Sequence, residues 1–142
     1  MIYFTLETEP IPKGRPRFTR SGHAYTPQKT RAFEEQLRFE FLASTCERMP
    51  IYTKDVPIIV EAVFAKSIPK SWSKKKREAA LRGEILPTSR PDVDNYLKTL
   101  DALIGLAYED DSQIVQTIAE KKYAENPYVE IRIRAKGEDI GQ

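Results

Sequence analysis

The segment Arg90-Pro91-Asp92-Val93-Asp94-Asn95-Tyr96-Leu97-Lys98 holds two carboxylates two residues apart, with an ammonium four residues after the second. A further acidic group, Tyr108-Glu109-Asp110-Asp111-Ser112-Gln113, follows. Carboxylates brought together repel unless a cation lies between them. A divalent ion removes that repulsion. It can also lower the pKa of a bound water and polarise a phosphoryl oxygen. The plain alternative is capping. Asp92 would then cap a helix, and Asp94 and Lys98 would form a surface pair worth about 0.5 kcal/mol.

The rest of the composition narrows the choice of ion. Cys46 is the only cysteine and His23 the only histidine, so the chain has no cysteine or histidine cluster for zinc. Oxygen ligands favour hard ions such as Mg²⁺ or Mn²⁺. Asp92, Asp94 and one of the pair Asp110/Asp111 are the candidate ligands. Only one of two neighbours at a strand start faces a given side. Lys98, one turn from Asp94, is placed to stabilise charge on a transferring phosphate.

The net charge of +2 conceals strong patterning. Pro10–Arg31 carries six Lys or Arg and no acid, and Lys66–Arg90 carries eight against two glutamates. Asp92–Asp111 carries six acids against one lysine. Acids flanked by basic segments suit a metal-dependent phosphodiesterase, in which basic surface holds a polyanion over bound cations. Lys13, Arg15, Arg17 and Arg20 interleave with Phe18 and Tyr25, a mix suited to phosphate contact and base stacking. Lys74, Lys75, Lys76 and Arg90 extend the candidate DNA-binding set. Trp72 is assigned to packing rather than to a wedge, His23 to a loop and Cys46 to the core.

The elements that position these residues follow from periodicity. Ile2–Thr8 alternates as a half-buried strand. Pro10–Pro27 is a loop, either mobile or a short hairpin pivoting on Ser21-Gly22. Thr26 as N-cap and Pro27 as first residue open a helix to about Ser44, with Phe33, Leu37 and Phe41 as its stripe and Phe39 nearby. Val56–Ala65 is a strand and Ser73–Arg82 a short basic helix stopped by Gly83. Asp92 to about Leu106 is a helix with Val93, Leu97, Leu100, Ile104 and Ala107 inward. Its polar face carries Asp94, Lys98 and Asp101. Ile114–Tyr123 and Tyr128–Arg134 are strands, expected to form a hairpin through Glu125-Asn126-Pro127. The polar tail from Lys136 is expected to fray.

This order predicts one α/β (α+β) domain over residues 1–142, a mixed sheet with helices. No apolar run reaches the ~20 residues of a membrane span, and MIYFTLETEP lacks a signal-peptide pattern. A soluble cytoplasmic protein, without membrane partners, is expected.

The segment from Arg90 to Ile133 also resembles the RusA-type Holliday junction resolvases, largely of phage and prophage origin. The shared pattern is D-x-D-N-x-x-K, an apolar helix, then a D-D pair before a strand. The resemblance implies a RusA-like fold and a homodimer that acts in DNA recombination and repair. Such a dimer cuts four-way DNA junctions symmetrically with Mg²⁺ or Mn²⁺ and leaves 5′-phosphate ends that ligase can seal. It places the essential acids on Asp92, Asp94 and Asp111 and the essential lysine on Lys98. The basic stretch Lys66–Ser89 is where junction binding would differ from that of known members. Two rivals remain: a non-catalytic branched-DNA-binding module, and a metal-dependent nuclease for flaps or RNA.

Overall fold

The computed structural model describes residues 1–138. Strand β1 (Ile2–Leu6) buries Ile2, Phe4 and Leu6 and exposes Tyr3 and Thr5. It stops two residues short of the expected end, ahead of Pro10. The loop that follows takes the hairpin form, β2 (Arg17–Phe18) against β3 (Ala24–Tyr25), turning at Gly22 with φ of 85°.

Helix α1 (Gln28–Ser44) buries Phe33, Leu37 and Phe41, as its spacing dictates. Two details differ from the sequence expectation. Pro27, not Thr26, occupies the N-cap position, and no side chain caps the helix. Phe39 lies two residues from Leu37, hence on the opposite side of the helix, and is 68% exposed. Cys46 follows the end of α1 and is exposed, so its assignment to the core is corrected.

Strand β4 (Ile58–Ser67) is nearly continuously apolar, with Ile58, Val60, Ala62 and Phe64 buried on its core face. Such a strand needs a neighbour on each side. Helix α2 (Lys74–Leu81) is capped by Ser73, whose hydroxyl accepts from Lys76 N–H, and Gly83 (φ 82°) lies just past its end. Helix α3 (Val93–Leu97) then tightens into a 3-10 segment (Lys98–Leu103) instead of running as one α-helix to Leu106. The Thr99 hydroxyl donates to Tyr96 O at 2.6 Å, a back-bond of the kind that perturbs helix geometry. Because the helix stops at Leu103, Ile104 leaves the apolar stripe and is exposed.

The largest correction concerns the last two strands. β5 (Ile114–Ala124) and β6 (Tyr128–Ala135) are adjacent in sequence but not in the sheet, whose order is β1-β6-β4-β5. β5 pairs parallel to β4, while β6 lies antiparallel between β4 and β1. The expected β5–β6 hairpin is therefore absent. The central strand β4 draws one late strand to each side, and the Glu125–Pro127 connection crosses its end. The mixed sheet expected from the element order is present.

One sheet face packs Phe4, Val60, Phe64 and Ile131 against α1 and the α3 segment. Phe4 and Phe41 meet edge to face at 6.1 Å. The other face is open and polar, with Glu61 between Arg134 (3.7 Å) and Arg132 (3.9 Å). The start of the expected frayed tail is tied down. Lys136 N–H donates to Pro57 O, and the Glu138 carboxylate accepts from Tyr52 and Ala135 N–H. The remainder of that tail lies outside the described residues. Among the described residues no helix is long and apolar enough to cross a membrane.

Candidate active site

Asp92 occupies the N-cap position of α3, yet its side chain makes no capping hydrogen bond. Asp94 and Lys98 are both exposed and form no ion pair with each other. Both structural roles that the sequence allowed for these groups are thus unfilled. The two carboxylates stand free at the start of a helix.

That helix start is held from several directions. Tyr96 is buried and stacks on Phe64 with ring centroids 4.9 Å apart, a contact worth about 0.5–1.5 kcal/mol beyond its area. Burial, and then Glu9, push the Tyr96 hydroxyl up to about 12, so it stays neutral. Lys121 of β5 donates to Ser89 O and Pro91 O, each at 3.0 Å, fixing the chain just ahead of Asp92. From the far side, Lys13 N–H donates to Asn95 O at 2.8 Å. Pro12, Lys13, Arg15, Arg90, Pro91, Asp92 and Asn95 line a cleft of about 380 Å³. Acid and base therefore share one cleft.

Asp110 and Asp111 divide their work. The Asp110 carboxylate accepts from Ser112 N–H at 3.0 Å and caps the short turn Asp111–Gln113. Gln113, buried beneath, completes a reciprocal capping box. Its Oε1 accepts from Glu109 and Asp110 N–H, and its Nε2 donates to Thr53 O and Val56 O. Asp110 is held below the usual carboxylate range, chiefly by the Ser112 N–H. Asp111 is exposed and pushed upward by its hydrogen bond with Asp110, then by burial and by repulsion from Asp110 and Asp101.

Asp111 sits on the short turn that leads into β5. Asp111 precedes Ile114, which pairs with Ile58 at the start of β4. Asp92 is fixed near Lys121, which pairs with Phe64, the residue under Tyr96. Among the described residues no three metal-ligating side chains gather at one point. Asp92 and Asp94 still fit a hard cation, because Mg²⁺ commonly takes one or two carboxylates with waters and phosphate oxygens.

The basic candidates separate likewise. Lys13 is not a free cation, since its ammonium pairs with the buried Glu34 carboxylate at 2.6 Å. Its place is to anchor the loop. Arg15, Arg17 and Arg20 are unpaired among the described residues, and Arg17 lies on the exposed hairpin with Phe18. Lys74, Lys75 and Lys76 open α2, which contacts the C-terminal end of β5. Trp72 packs edge to face on Tyr123 at 5.2 Å, and Lys76 sits 3.9 Å over its ring. Sequence reading missed Lys121, Gln113 and Glu34. Only Gln113 carried a local signal, the D-x-x-Q spacing of a capping box.

The site thus sets a D-x-D pair at a helix start above a mixed sheet, beside basic loop residues. The chain matches Endodeoxyribonuclease RusA over residues 7–134 and belongs to that family. It is also 41% identical over 139 residues to an uncharacterized protein, YqaN, of Bacillus subtilis (strain 168), covering 94% of this chain and 95% of that protein.

Proposed function

We propose that the protein is a Mg²⁺- or Mn²⁺-dependent, structure-selective endodeoxyribonuclease that resolves four-way DNA junctions by paired symmetric nicks. The observation that carries this reading is the freedom of Asp92 and Asp94. Both carboxylates stand exposed, without cap bond or ion pair, on a rigidly held helix start, and Asp92 lines the cleft shared with Arg15 and Arg90.

Asp92 and Asp94 would hold the cation. When bound, the ion supplies an activated water and a polarised phosphoryl oxygen. Arg15 and Arg90 bind the phosphate backbone at the cleft. Lys98, one turn beyond Asp94, steadies charge on the leaving oxygen. Asp111 would be the third carboxylate of the set. A twofold enzyme also suits two symmetric cuts.

The test is a labelled synthetic four-way junction incubated with Mg²⁺, with Mn²⁺ and with chelator, followed by ligation. Paired nicks at symmetric positions, sealed by ligase and lost in chelator, are expected. Binding without nicking in either metal would leave a non-catalytic branched-DNA module. Preferential cutting of flap or RNA competitors would reassign the substrate.

A further inference from the structure

Helix α1 carries a line of polar residues beside its apolar stripe. Thr30, Glu34 and Arg38 recur every four residues, so they share one side of the helix. Thr30 is 2% and Glu34 7% exposed, an uncommon depth for a hydroxyl and a carboxylate. Each of the three bonds a segment that builds the site. The Thr30 hydroxyl accepts from Gly14 N–H at 2.9 Å and donates to Pro12 O at 3.2 Å. The Glu34 carboxylate takes the Lys13 ammonium. Arg38 Nε donates to Ala102 O, in the 3-10 segment that continues α3.

The tripeptide Pro12-Lys13-Gly14 is therefore a bridge. Helix α1 grips it on one side, and on the other its Lys13 N–H reaches Asn95 O, next to Asp94. Gly14 leaves no slack, because a Cβ there would stand 2.8 Å from Pro27 Cγ and 3.1 Å from Thr30 Oγ1. Arg15, exposed and lining the cleft with Asp92, is the next residue along. Stability alone does not account for the buried ion pair, since well-packed apolar residues of similar volume often serve as well or better. What the hydrogen-bonded pair adds is a fixed place for the backbone it holds.

We propose that Thr30 and Glu34 are positioning residues: they set the span between Arg15 and the acids at the start of α3, and so decide which phosphodiester is cut and how fast. The proposal rests on the nuclease reading for its outcome and on the bridge for its mechanism. Both residues act through Lys13 and Gly14, not on DNA or cation directly. A shift of about 1 Å between bound phosphate and reacting groups can cost about a hundredfold in rate.

The test compares Thr30→Val, Thr30→Ser and the paired change Lys13→Met with Glu34→Leu, each in the full chain. The paired change replaces two buried charges by apolar groups, so its urea midpoint should match or exceed that of the wild type. Single-turnover cutting of a four-way junction by saturating enzyme should nonetheless fall at least about tenfold, with nicks spread onto neighbouring phosphates. Because the pair is neutral as a whole, junction affinity should move less than about threefold. Thr30→Val should act in the same way, whereas Thr30→Ser, which keeps the hydroxyl, should retain both rate and cut position. Amide hydrogen exchange without metal or DNA supplies a second reading: residues 13 and 14 should exchange at least about tenfold faster in Thr30→Val than in the wild type. Should the paired variant fail to fold, Thr30→Val against Thr30→Ser decides. A paired variant as stable as the wild type that cuts the same phosphates at the same rate, or unchanged exchange in Thr30→Val, would overturn the positioning role. A wild-type protein that cuts no junction, while exchange at residues 13 and 14 still quickens in Thr30→Val, would overturn the nuclease reading and leave the bridge between loop and helix standing.

Discussion

The Lys121 ammonium donates to the Pro91 carbonyl at 3.0 Å, so a strand residue sets the position of the helix that begins two residues later. Its second bond, to Ser89 O, makes the tie bidentate. Lys121→Met keeps the stem and removes both bonds. Expected is a stability loss of about 1 kcal/mol, given partial solvent access, with a larger fall in junction cutting than in junction binding. Urea unfolding beside cleavage and gel-shift assays separates the two effects.

Asp94→Asn should leave folding and junction binding intact and abolish cutting. The side chain has no structural partner to lose. Cutting at the wild-type rate in Mg²⁺ would remove Asp94 from the chemistry.

Asp110 and Asp111 should behave differently although they are neighbours. Asp110→Ala removes a cap and should lower stability without metal. Asp111→Asn should cost nothing or stabilise, because it relieves repulsion from Asp110 and Asp101. Gln113→Ala strips partners from two N–H groups and three carbonyls and should cost about 3 kcal/mol. Thermal unfolding of the four proteins in chelator ranks them.

Junction affinity should fall steeply with salt, and replacing Arg15, Arg17 and Arg20 by Gln should flatten the dependence. Each lost phosphate contact removes about 0.9 from the slope of log affinity against log salt. Lys13→Gln should act differently, by leaving Glu34 buried without its partner and lowering stability. Titrations at several salt concentrations distinguish a contact from an anchor.

Acid should weaken the fold in part through Glu138. Burial opposes its charge, but hydrogen bonds from the Met1 amino group, Ala135 N–H and the Tyr52 hydroxyl outweigh it and hold its carboxyl below the usual range. A carboxyl depressed on folding stabilises above its unfolded pKa, and that contribution is lost as pH falls toward the folded value. Glu138→Gln should therefore flatten the acid limb of stability against pH below about pH 4.5.

The local chemistry was legible in the sequence because it is local. Asp-x-Asp before an apolar periodicity marks a helix start, and alternation from Ile2 or in Val129–Ile133 marks a buried strand face. Pairing is non-local, so the place of β6 between β1 and β4 left no trace in Glu125-Asn126-Pro127, which reads as an ordinary turn. The shortened helix escaped notice because Thr99 looks unremarkable until its hydroxyl bonds Tyr96 O. Lys121 was invisible for the same reason, since its partners lie thirty or more residues earlier.

The sheet order has a consequence for synthesis. β6 bridges β1 and β4, so the first strand to leave the ribosome has no neighbour until the sixth emerges. A chain ending before Tyr128 leaves β1 and one side of β4 without strand partners, so the sheet closes only with the last strand.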